Sequence, residues 1–197
     1  MMWEQMSLFT DEELGITPSI PQIIGLTGYA QSGKDTVAKI LVEEHGYRRM
    51  AFADKIRDVL YDLNPTIETI ELQTFVDKYG WDEVKVDFPE ARAFLQKLGV
   101  AIREHVHIDA WVNAVLDNIN PQDKVVITDV RFINEAYHIR GMGGTLWRVT
   151  RPGVTAVNNH VSEHELDKHK FDVINNDGTI DDLREQVRLR MNSALTK

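Results

Sequence analysis

Gly28-Tyr29-Ala30-Gln31-Ser32-Gly33-Lys34-Asp35-Thr36 is a short glycine-rich stretch near the start of the chain. It follows an apolar run at residues 23–27, which predicts a buried strand, and it opens a helical pattern that stops at Gly46. Glycines let the backbone curl so that several N–H groups face one anion, and the helix N-terminus adds the positive end of its dipole. A lysine in this position reaches the β- and γ-phosphates of a nucleotide. The stretch therefore predicts a phosphate-binding loop for ATP, formed by Gly28, Ala30, Gln31, Ser32, Gly33, Lys34, Asp35 and Thr36.

The residues expected to hold Mg²⁺ depart from the usual pattern of phosphate loops. The residue after the lysine is usually Ser or Thr, whose hydroxyl holds Mg²⁺, but here it is Asp35, and the hydroxyl belongs to Thr36. One residue corresponds to about 100° around a helix, so the Thr36 hydroxyl points in a different direction from the usual one. Asp129 ends an apolar run, a position that suits an acid ordering Mg²⁺, although it also suits capping of the next helix. We expect Thr36 and Asp129 at the metal site, and the direct ligands of the ion stay open.

Apolar runs and helical patterns alternate along the rest of the chain. Such alternation predicts an α/β fold in which a parallel sheet is covered by helices on both faces. Residues 66–88 carry mixed helical signals and no strong strand pattern. Strands are expected at residues 23–27, 49–52, 124–128, 145–150 and 171–174, and helices at residues 36–45, 54–63, 89–105, 110–119, 133–141 and from Thr179 to about Leu195.

Composition and charge exclude several classes of protein. The 197 residues suffice for one domain with a buried core, and 43% hydrophobic and 27% charged residues are ordinary values for a globular protein. No apolar run approaches the roughly 20 residues of a membrane span, and no secretory signal is visible. Cysteine is absent and the net charge is -9 without a basic cluster, so neither disulfides nor binding to a nucleic-acid polymer is expected. These features favour a cytoplasmic protein, in the host cytoplasm if the source is viral, that binds small molecules.

Four segments, in this order along the chain, resemble one known family. They are residues 28–36, 52–57, 129–136 and 176–183. Together they are similar to the deoxynucleoside monophosphate kinases of the bacteriophage type, which belong with the adenylate-kinase-like and dephospho-CoA-kinase-like P-loop kinases. The resemblance covers about residues 23–195. It implies a three-layer P-loop kinase fold, ATP as donor, Mg²⁺, a deoxynucleoside 5′-monophosphate as acceptor and a diphosphate as product.

The resemblance also assigns roles to individual residues. Lys34 matches the lysine of the family's phosphate loop. Arg131 matches the arginine that follows the strand ended by an acidic residue, here Asp129. Asp54 and Arg57 match the acceptor-binding segment, whereas Gly178 lies in the fourth segment and is assigned to the ATP site. The residues expected to be catalytic are Lys34, Asp129, Arg131 and Arg151.

The predicted helix at residues 89–105 carries a further pair of polar side chains. Arg92 and Gln96 lie four residues apart, so they project from one face of the helix. This spacing resembles the Arg and Gln with which nucleotide kinases hold the phosphate and the base of an acceptor. A guanidinium suits a phosphate, and an amide offers both a donor and an acceptor to a base edge. We expect both residues, with Arg103, in the acceptor site; a solvated helix face is the alternative interpretation.

A mobile lid is expected at about residues 151–168. The segment is polar, has Pro152 and Gly153 near its start and shows no clear periodicity. Closing it would bring Arg151 over the γ-phosphoryl group and exclude water. The expected organisation is a loosely ordered lead-in at residues 1–22, one kinase domain at residues 23–197 and acceptor-binding helices at about residues 53–120.

Two other functions fit the same phosphate loop. One is a kinase for another phosphorylated metabolite, of the dephospho-CoA or phosphomevalonate type. The other is a non-catalytic nucleotide-binding module. A base-reading Gln96 favours a nucleotide acceptor, and the surplus of single arginines counts against a module with one anion pocket. The accepted bases stay open, as does the oligomeric state, for which a homodimer is one possibility.

Overall fold

The computed structural model describes residues 22–156 and 164–193. Outside these residues lie the predicted lead-in, apart from Gln22, and the middle of the predicted lid, residues 157–163. The described strands are β1 Ile23–Thr27, β2 Arg48–Met50, β3 Thr66–Ile67, β4 Ile70–Glu71, β5 Val125–Ile127, β6 Thr145–Thr150 and β7 Asp172–Asn175. The described helices are α1 Lys34–His45, α2 Phe52–Leu63, α3 Leu72–Asp87, α4 Pro89–His105, α5 Ala110–Leu116, α6 Ile133–Gly141 and α7 Ile180–Ser193.

Five of these strands form one parallel sheet in the order β2-β5-β1-β6-β7. The central strand is β1, in which Ile24 pairs with Val126 of β5 and Thr145 of β6. The outer strands β2 and β7 pair in parallel with β5 and β6. All residues of β1 and β5 are buried, as expected of a parallel sheet covered on both faces. The carboxyl ends of all five strands meet at one edge, where open α/β sheets bind their ligands.

Neighbouring residues of the central strands feed two separate apolar cores. Ile24 packs into one core and Ile23 into the other, because successive side chains of a strand point to opposite faces. The predicted three-layer fold is therefore confirmed. The first core includes Val37 and Leu41 of α1 with Leu183 and Val187 of α7, and the second includes Val112 and Val115 of α5 with Ala136 and Ile139 of α6.

A third apolar cluster holds together the helices that lie beyond the sheet. It joins Leu60 of α2, Phe75 and Val84 of α3 and Ala91 of α4. Gly80 interrupts α3 with φ 75° and ψ 161°, so the helix has two halves on either side of a kink. The short antiparallel pair of β3 and β4 precedes α3, in a region where no strand was predicted. This cluster supports one wall of the site described below.

Most predicted boundaries agree with the structure, and α4 and β6 have the limits expected from the sequence. The clearest difference is at Phe52, which begins α2 rather than ending β2. Its N–H and that of Ala53 donate to the two carboxylate oxygens of Asp129 at 2.9 Å and 2.8 Å, so a distant side chain caps the helix. Smaller differences are the end of α5 at Leu116 instead of residue 119 and the limits of β7, one residue later than predicted. Within the described part of the chain, no helix has both the length and the apolar character needed to cross a membrane.

Candidate active site

The phosphate loop lies between β1 and α1, at the carboxyl end of the central strand. Gly28 and Gly33 have φ angles of 134° and 106°, which favour glycine over any residue with a side chain. A Cβ on Gly28 would collide with the backbone of Val149, and a Cβ on Gly33 would collide with the side chain of Asn176. Glycine is therefore required at both positions for this path of the loop.

Two loop side chains are placed where an anion would meet them. Lys34 Nζ donates to the carbonyl oxygens of Gly28 at 2.7 Å and Tyr29 at 2.8 Å, so the ammonium lies against the loop itself. Ser32 is only 1% exposed, and its Oγ has no hydrogen-bond partner among the described residues. An unsatisfied buried hydroxyl costs about 1–3 kcal/mol, so such groups are rare unless a ligand completes them. A phosphate oxygen would satisfy the Ser32 hydroxyl.

A first cleft, of about 170 Å³, opens on one side of the phosphate loop. Arginines line its far wall. Arg148 donates to the carbonyl oxygens of Leu166 and Asp167 and lies over the ring of Phe171, 5.0 Å from its centroid. These contacts hold the Arg148 side chain in place. The first cleft is lined by Gly28, Tyr29 and Ser32 of the loop and by Arg131, Arg148 and Arg151.

A second cleft, of about 560 Å³, opens on the other side of the loop, where Ala30 and Gln31 line it. The helices α2, α3 and α4 supply much of its remaining wall. It brings together four of the five residues predicted for the acceptor: Arg57, Arg92, Gln96 and Arg103. Arg131 lines both clefts and so marks their junction.

The fifth predicted acceptor residue, Asp54, does not line the second cleft. Its carboxylate accepts hydrogen bonds from Arg57 at 3.0 Å and from Arg49 at 2.5 Å. Asp54 therefore holds the Arg57 side chain in place without lining the cleft itself. The Nε of Arg57 is buried and has no hydrogen-bond partner among the described residues, so it is a second donor that a ligand would complete.

Arg103 is held at the end of the second cleft by a small network. Its guanidinium lies 3.8 Å from the ring centroid of Phe132, a cation–π contact. It also donates to the side-chain oxygen of Asn134 at 3.2 Å and to the carbonyl oxygen of Ile108 at 3.2 Å. Asn134 in turn donates to Asp109 at 2.8 Å, and this hydrogen bond is the main reason that the pKa of Asp109 is lowered. The arginine is therefore fixed in direction before any ligand arrives.

Three carboxyl groups line the second cleft: the exposed Asp82 of α3, and Asp129 and Glu135, which are discussed here. Asp129 caps α2, and burial raises the pKa of its carboxyl group. Glu135 is 4% exposed and accepts the backbone N–H groups of Arg131 at 2.7 Å and Phe132 at 2.9 Å. Burial raises the pKa of the Glu135 carboxyl group to about 8, although these two hydrogen bonds oppose the shift.

The raised pKa of Glu135 predicts how stability depends on pH. Between about pH 4.5 and pH 8 the folded chain keeps a proton that the unfolded chain loses, so the free energy of unfolding falls as pH rises. The slope from one group is at most about 1.4 kcal/mol per pH unit. The glutamine of Glu135→Gln cannot ionise. The melting temperature of this variant, relative to that of the wild type, should therefore increase as the pH is raised from 5 to 8. Parallel curves would contradict this, and Glu83→Gln, which removes an exposed carboxyl group from α3, is the matched control.

The residues predicted for the metal and for the rest of the ATP site are spread around the loop. Asp35 is exposed and Thr36 is partly buried in the first turn of α1. Within the described residues, no group of three or more His, Asp or Glu side chains is arranged to hold a metal ion. Gly178 lines neither cleft. Its neighbour Asn176 instead reaches the loop, where its side-chain amide donates to the carbonyl oxygen of Ser32 at 2.9 Å.

Several polar residues of the site were not assigned to it from the sequence: Lys85, Glu135, Arg148 and Asn176. One of them had a recognisable signal. Glu135 is the third residue of α6, and a glutamate at this position is typical of the capping box. The others reach the site through contacts between distant segments, and the local pattern gives no sign of such contacts.

The predicted lid is described at its two ends. Arg151 is exposed and lines the first cleft beside the phosphate loop. At the other end, residues 164–168 form a turn that is attached to the rest of the protein. Leu166 is 4% exposed and packs into the second apolar core, and Glu165 Oε1 accepts the N–H of Ile133 at 2.8 Å. This end of the segment therefore packs against the rest of the protein, and Leu166 and Asp167 line the first cleft. The mobility of the lid stays a prediction.

Comparisons with known proteins agree with this architecture. A family model described as deoxynucleotide monophosphate kinase matches residues 89–187. The chain is 31% identical over 189 residues to a protein of Acanthamoeba polyphaga mimivirus named "Putative deoxynucleotide monophosphate kinase", covering 84% of this chain and 93% of the relative. A gluconokinase from Sinorhizobium meliloti 1021 has a similar fold, with a TM-score of 0.50 and 13% identity over 90% of this chain and 95% of its own. A dephospho-CoA kinase from Campylobacter jejuni has a TM-score of 0.48 and 15% identity, over 89% of this chain and 98% of its own.

The family model matches half of the chain, and the viral relative exceeds 30% identity over most of both sequences. The structural likeness to the gluconokinase shows the fold, with a phosphate loop at the carboxyl end of a parallel sheet. The resemblance expected from the four sequence segments is thereby confirmed. The chain belongs to the deoxynucleotide monophosphate kinase family and is a nucleotide kinase with a P-loop fold.

Proposed function

We propose that this protein transfers the γ-phosphoryl group of ATP to a deoxynucleoside 5′-monophosphate and releases the diphosphate and ADP. The observation that carries the proposal is a pair of buried donors without protein partners among the described residues. Ser32 Oγ belongs to the first cleft and Arg57 Nε to the second. Two clefts that meet at Arg131, each with a donor for an anion, suit a reaction that joins two phosphorylated molecules.

The donor would bind at the phosphate loop. Backbone N–H groups and Ser32 Oγ would receive the β-phosphate, and Lys34 would leave the loop carbonyls to reach the β- and γ-phosphates. Arg148 and Arg151 would add positive charge from the far wall of the first cleft. The loop residues Gly28, Ala30, Gln31, Gly33 and Asp35 serve mainly through their backbone.

Mg²⁺ fits this site if the phosphates and water supply most of its ligands, which is common for this ion. Each oxygen of Asp129 already accepts one N–H group, and a carboxylate oxygen has a second lone pair left for a metal or its water. Thr36 and Asp129 are the residues that would hold the ion. When bound, Mg²⁺ neutralises phosphate charge and orients the γ-phosphoryl group.

The acceptor would bind in the second cleft. Arg57 and Arg92 would hold its phosphate, with Asp54 keeping the first of them in position. Gln96 would face the base, and Arg103, fixed on Phe132, would line the end of the cleft. The acceptor phosphate is already an anionic nucleophile, so the protein supplies position and charge rather than a strong base. Arg131 would lie over the group in transfer because it lines both clefts.

An assay of ADP release with a panel of acceptors tests the proposed function. The panel should contain deoxynucleoside and ribonucleoside monophosphates, dephospho-CoA, phosphomevalonate and no acceptor. Release that depends on a deoxynucleoside monophosphate supports the proposal. Release with dephospho-CoA or phosphomevalonate instead would assign the chain to another metabolite, and slow release that no acceptor stimulates would indicate a nucleotide-binding module.

Arg92→Ala is expected to damage use of the acceptor and to leave ATP binding unchanged. Arg92 lines the second cleft but not the first, so its charge acts on the acceptor phosphate alone. A lost charge-assisted hydrogen bond is worth about 1.5–3 kcal/mol, or roughly 10- to 150-fold in kcat/KM for the acceptor. Lys97→Ala removes an exposed positive charge from the same helix and is the matched control. An equal loss of ATP affinity would place Arg92 in the donor site.

A further inference from the structure

The loop that carries Arg131 is held by its backbone at every residue from 130 to 133, and we call these residues the arginine loop. The N–H of Val130 donates to the carbonyl oxygen of Leu26 at 3.1 Å. The N–H groups of Arg131 and Phe132 both donate to Glu135. The N–H of Ile133 donates to Glu165 Oε1 at 2.8 Å. The two bonds to Glu135 are local, and the bond of Val130 goes to the central strand β1. The fourth bond, from Ile133, goes to Glu165, which is 32 residues away in the sequence.

Glu165 belongs to a turn at residues 164–168 that also touches the phosphate loop; we call it the anchoring turn. Asp167 Oδ2 accepts the hydroxyl group of Tyr29 at 3.0 Å. Leu166 lies between these two carboxylates and is buried in the second apolar core, with Arg148 donating to its carbonyl oxygen. The anchoring turn therefore joins the phosphate loop to the arginine loop, and its two carboxylates make the two connections.

We propose that Glu165 is a positioning residue that acts through Arg131. This inference rests on the proposed function, in which Arg131 lies over the phosphoryl group in transfer. The direction of the Arg131 side chain depends on the path of the arginine loop. Glu165 bonds this loop to the anchoring turn, whose residues Leu166 and Asp167 line the first cleft. A displacement of about 1 Å at the reacting groups costs up to roughly 100-fold in rate. Glu165 itself does not line either cleft.

The role differs from that of Glu135, although both carboxylates accept N–H groups of the same loop. Glu135 lies on α6, three residues after Phe132, and starts that helix as a local cap. Glu165 lies outside α6 and reaches its first residue, Ile133, from the anchoring turn. Loss of Glu135 should therefore disturb the helix itself, whereas loss of Glu165 should leave the helix formed and change where the arginine loop lies relative to the phosphate loop.

Steady-state kinetics of four variants test this inference: Glu165→Ala, Glu165→Gln, Arg131→Ala and the double variant Glu165→Ala/Arg131→Ala. At a temperature well below melting, Glu165→Ala should lower kcat by roughly 10- to 100-fold and leave the dissociation constant of ATP unchanged. Glu165→Gln should recover most of the rate, because an amide oxygen also accepts the N–H of Ile133. The double variant should be no slower than Arg131→Ala, because residues that act as a unit have non-additive effects.

Asp123→Ala is the matched control, since Asp123 accepts the backbone N–H of Asn120 at 3.0 Å before the amino end of β5, at the opposite edge of the sheet. It should keep the kcat of the wild type. A wild-type kcat for Glu165→Ala, or effects of the two single variants that multiply in the double variant, would overturn the inference alone. A wild-type protein that transfers no phosphoryl group to any deoxynucleoside monophosphate would overturn the proposed function and this inference with it.

Discussion

Lys34→Ala is expected to abolish phosphoryl transfer while the fold stays intact. Lys34 begins α1 directly behind the phosphate loop, and its ammonium bonds to the carbonyl oxygens of Gly28 and Tyr29 rather than packing in any of the apolar cores. In the reaction, that charge would move to the β- and γ-phosphates, where negative charge shifts during transfer. Removal of one preorganised donor of this kind costs about 100- to 1000-fold in kcat.

The measurement is ADP release with ATP and a deoxynucleoside monophosphate, together with thermal unfolding of each variant. Lys39→Ala provides the control because Lys39 is an exposed lysine on the same helix, facing Glu43 instead of the loop. It should match the wild type in both experiments. A Lys34→Ala enzyme with activity within a few fold of the wild type would contradict a role of this loop in phosphoryl transfer.

Arg131→Ala is expected to lower kcat by about 1000-fold or more with small changes in the affinity for either substrate. Arg131 lines both clefts, so its side chain would border the path of a group transferred between them. An arginine that meets the γ-phosphoryl group in the transition state contributes about 10³–10⁵ in rate. A charge that acts mainly on the transition state changes kcat far more than KM when it is removed, and this is the result expected for Arg131→Ala.

Single-turnover and steady-state rates, with binding titrations of ATP and of the acceptor, separate these effects. Arg140→Ala removes an exposed arginine from the last turn of α6 and should have no effect on any of them. If Arg131→Ala instead weakened the binding of one substrate and kept kcat, Arg131 would be a ground-state ligand of that substrate.

The clefts differ in charge from the rest of the protein. The chain has a net charge of -9, yet arginines line the first cleft at positions 131, 148 and 151 and the second at positions 57, 92, 103 and 131. The second cleft also contains the carboxyl groups of Asp82, Asp129 and Glu135, so its positive charge is a surplus of basic side chains over acidic ones. A surplus of one sign in a cleft raises the local concentration of oppositely charged ligands. The surplus of arginine in both clefts therefore favours anionic ligands such as nucleotides.

Much of the candidate site could be predicted from the sequence because its chemistry is local. The phosphate loop depends on glycines at fixed positions before a helix, and Gly28 and Gly33 have the positive φ angles that such a loop needs. Arg92 and Gln96 were expected on one helix face, and both line the second cleft. Helical spacing alone places them together, so no tertiary information was needed to pair them.

Other features were beyond any local pattern. Asp54 was expected in the acceptor site, and its carboxylate bonds to Arg57, one turn along α2, and to Arg49 of β2, while Asp54 itself does not line the second cleft. Asp129 was expected to cap the helix after it or to order Mg²⁺. The helix that it caps is α2, whose first residues precede it by about 75 positions, because β5 brings Asp129 beside the start of that helix. The role in ordering Mg²⁺ stays a prediction.

The α/β class, the phosphate loop and most helix and strand limits could be predicted because each follows from periodicity or from residues close together in the chain. The family was inferred from the resemblance of four segments in their order along the sequence. The three-dimensional structure was needed to show that the phosphate loop lies between two clefts, that Arg131 lines both of them, and that Asn176 and Glu165 bond to the phosphate loop and the arginine loop. The physical reason is that these contacts form at the edge where all five parallel strands end. Their partners are brought together by the order of strands in the sheet, and a local pattern does not carry that order.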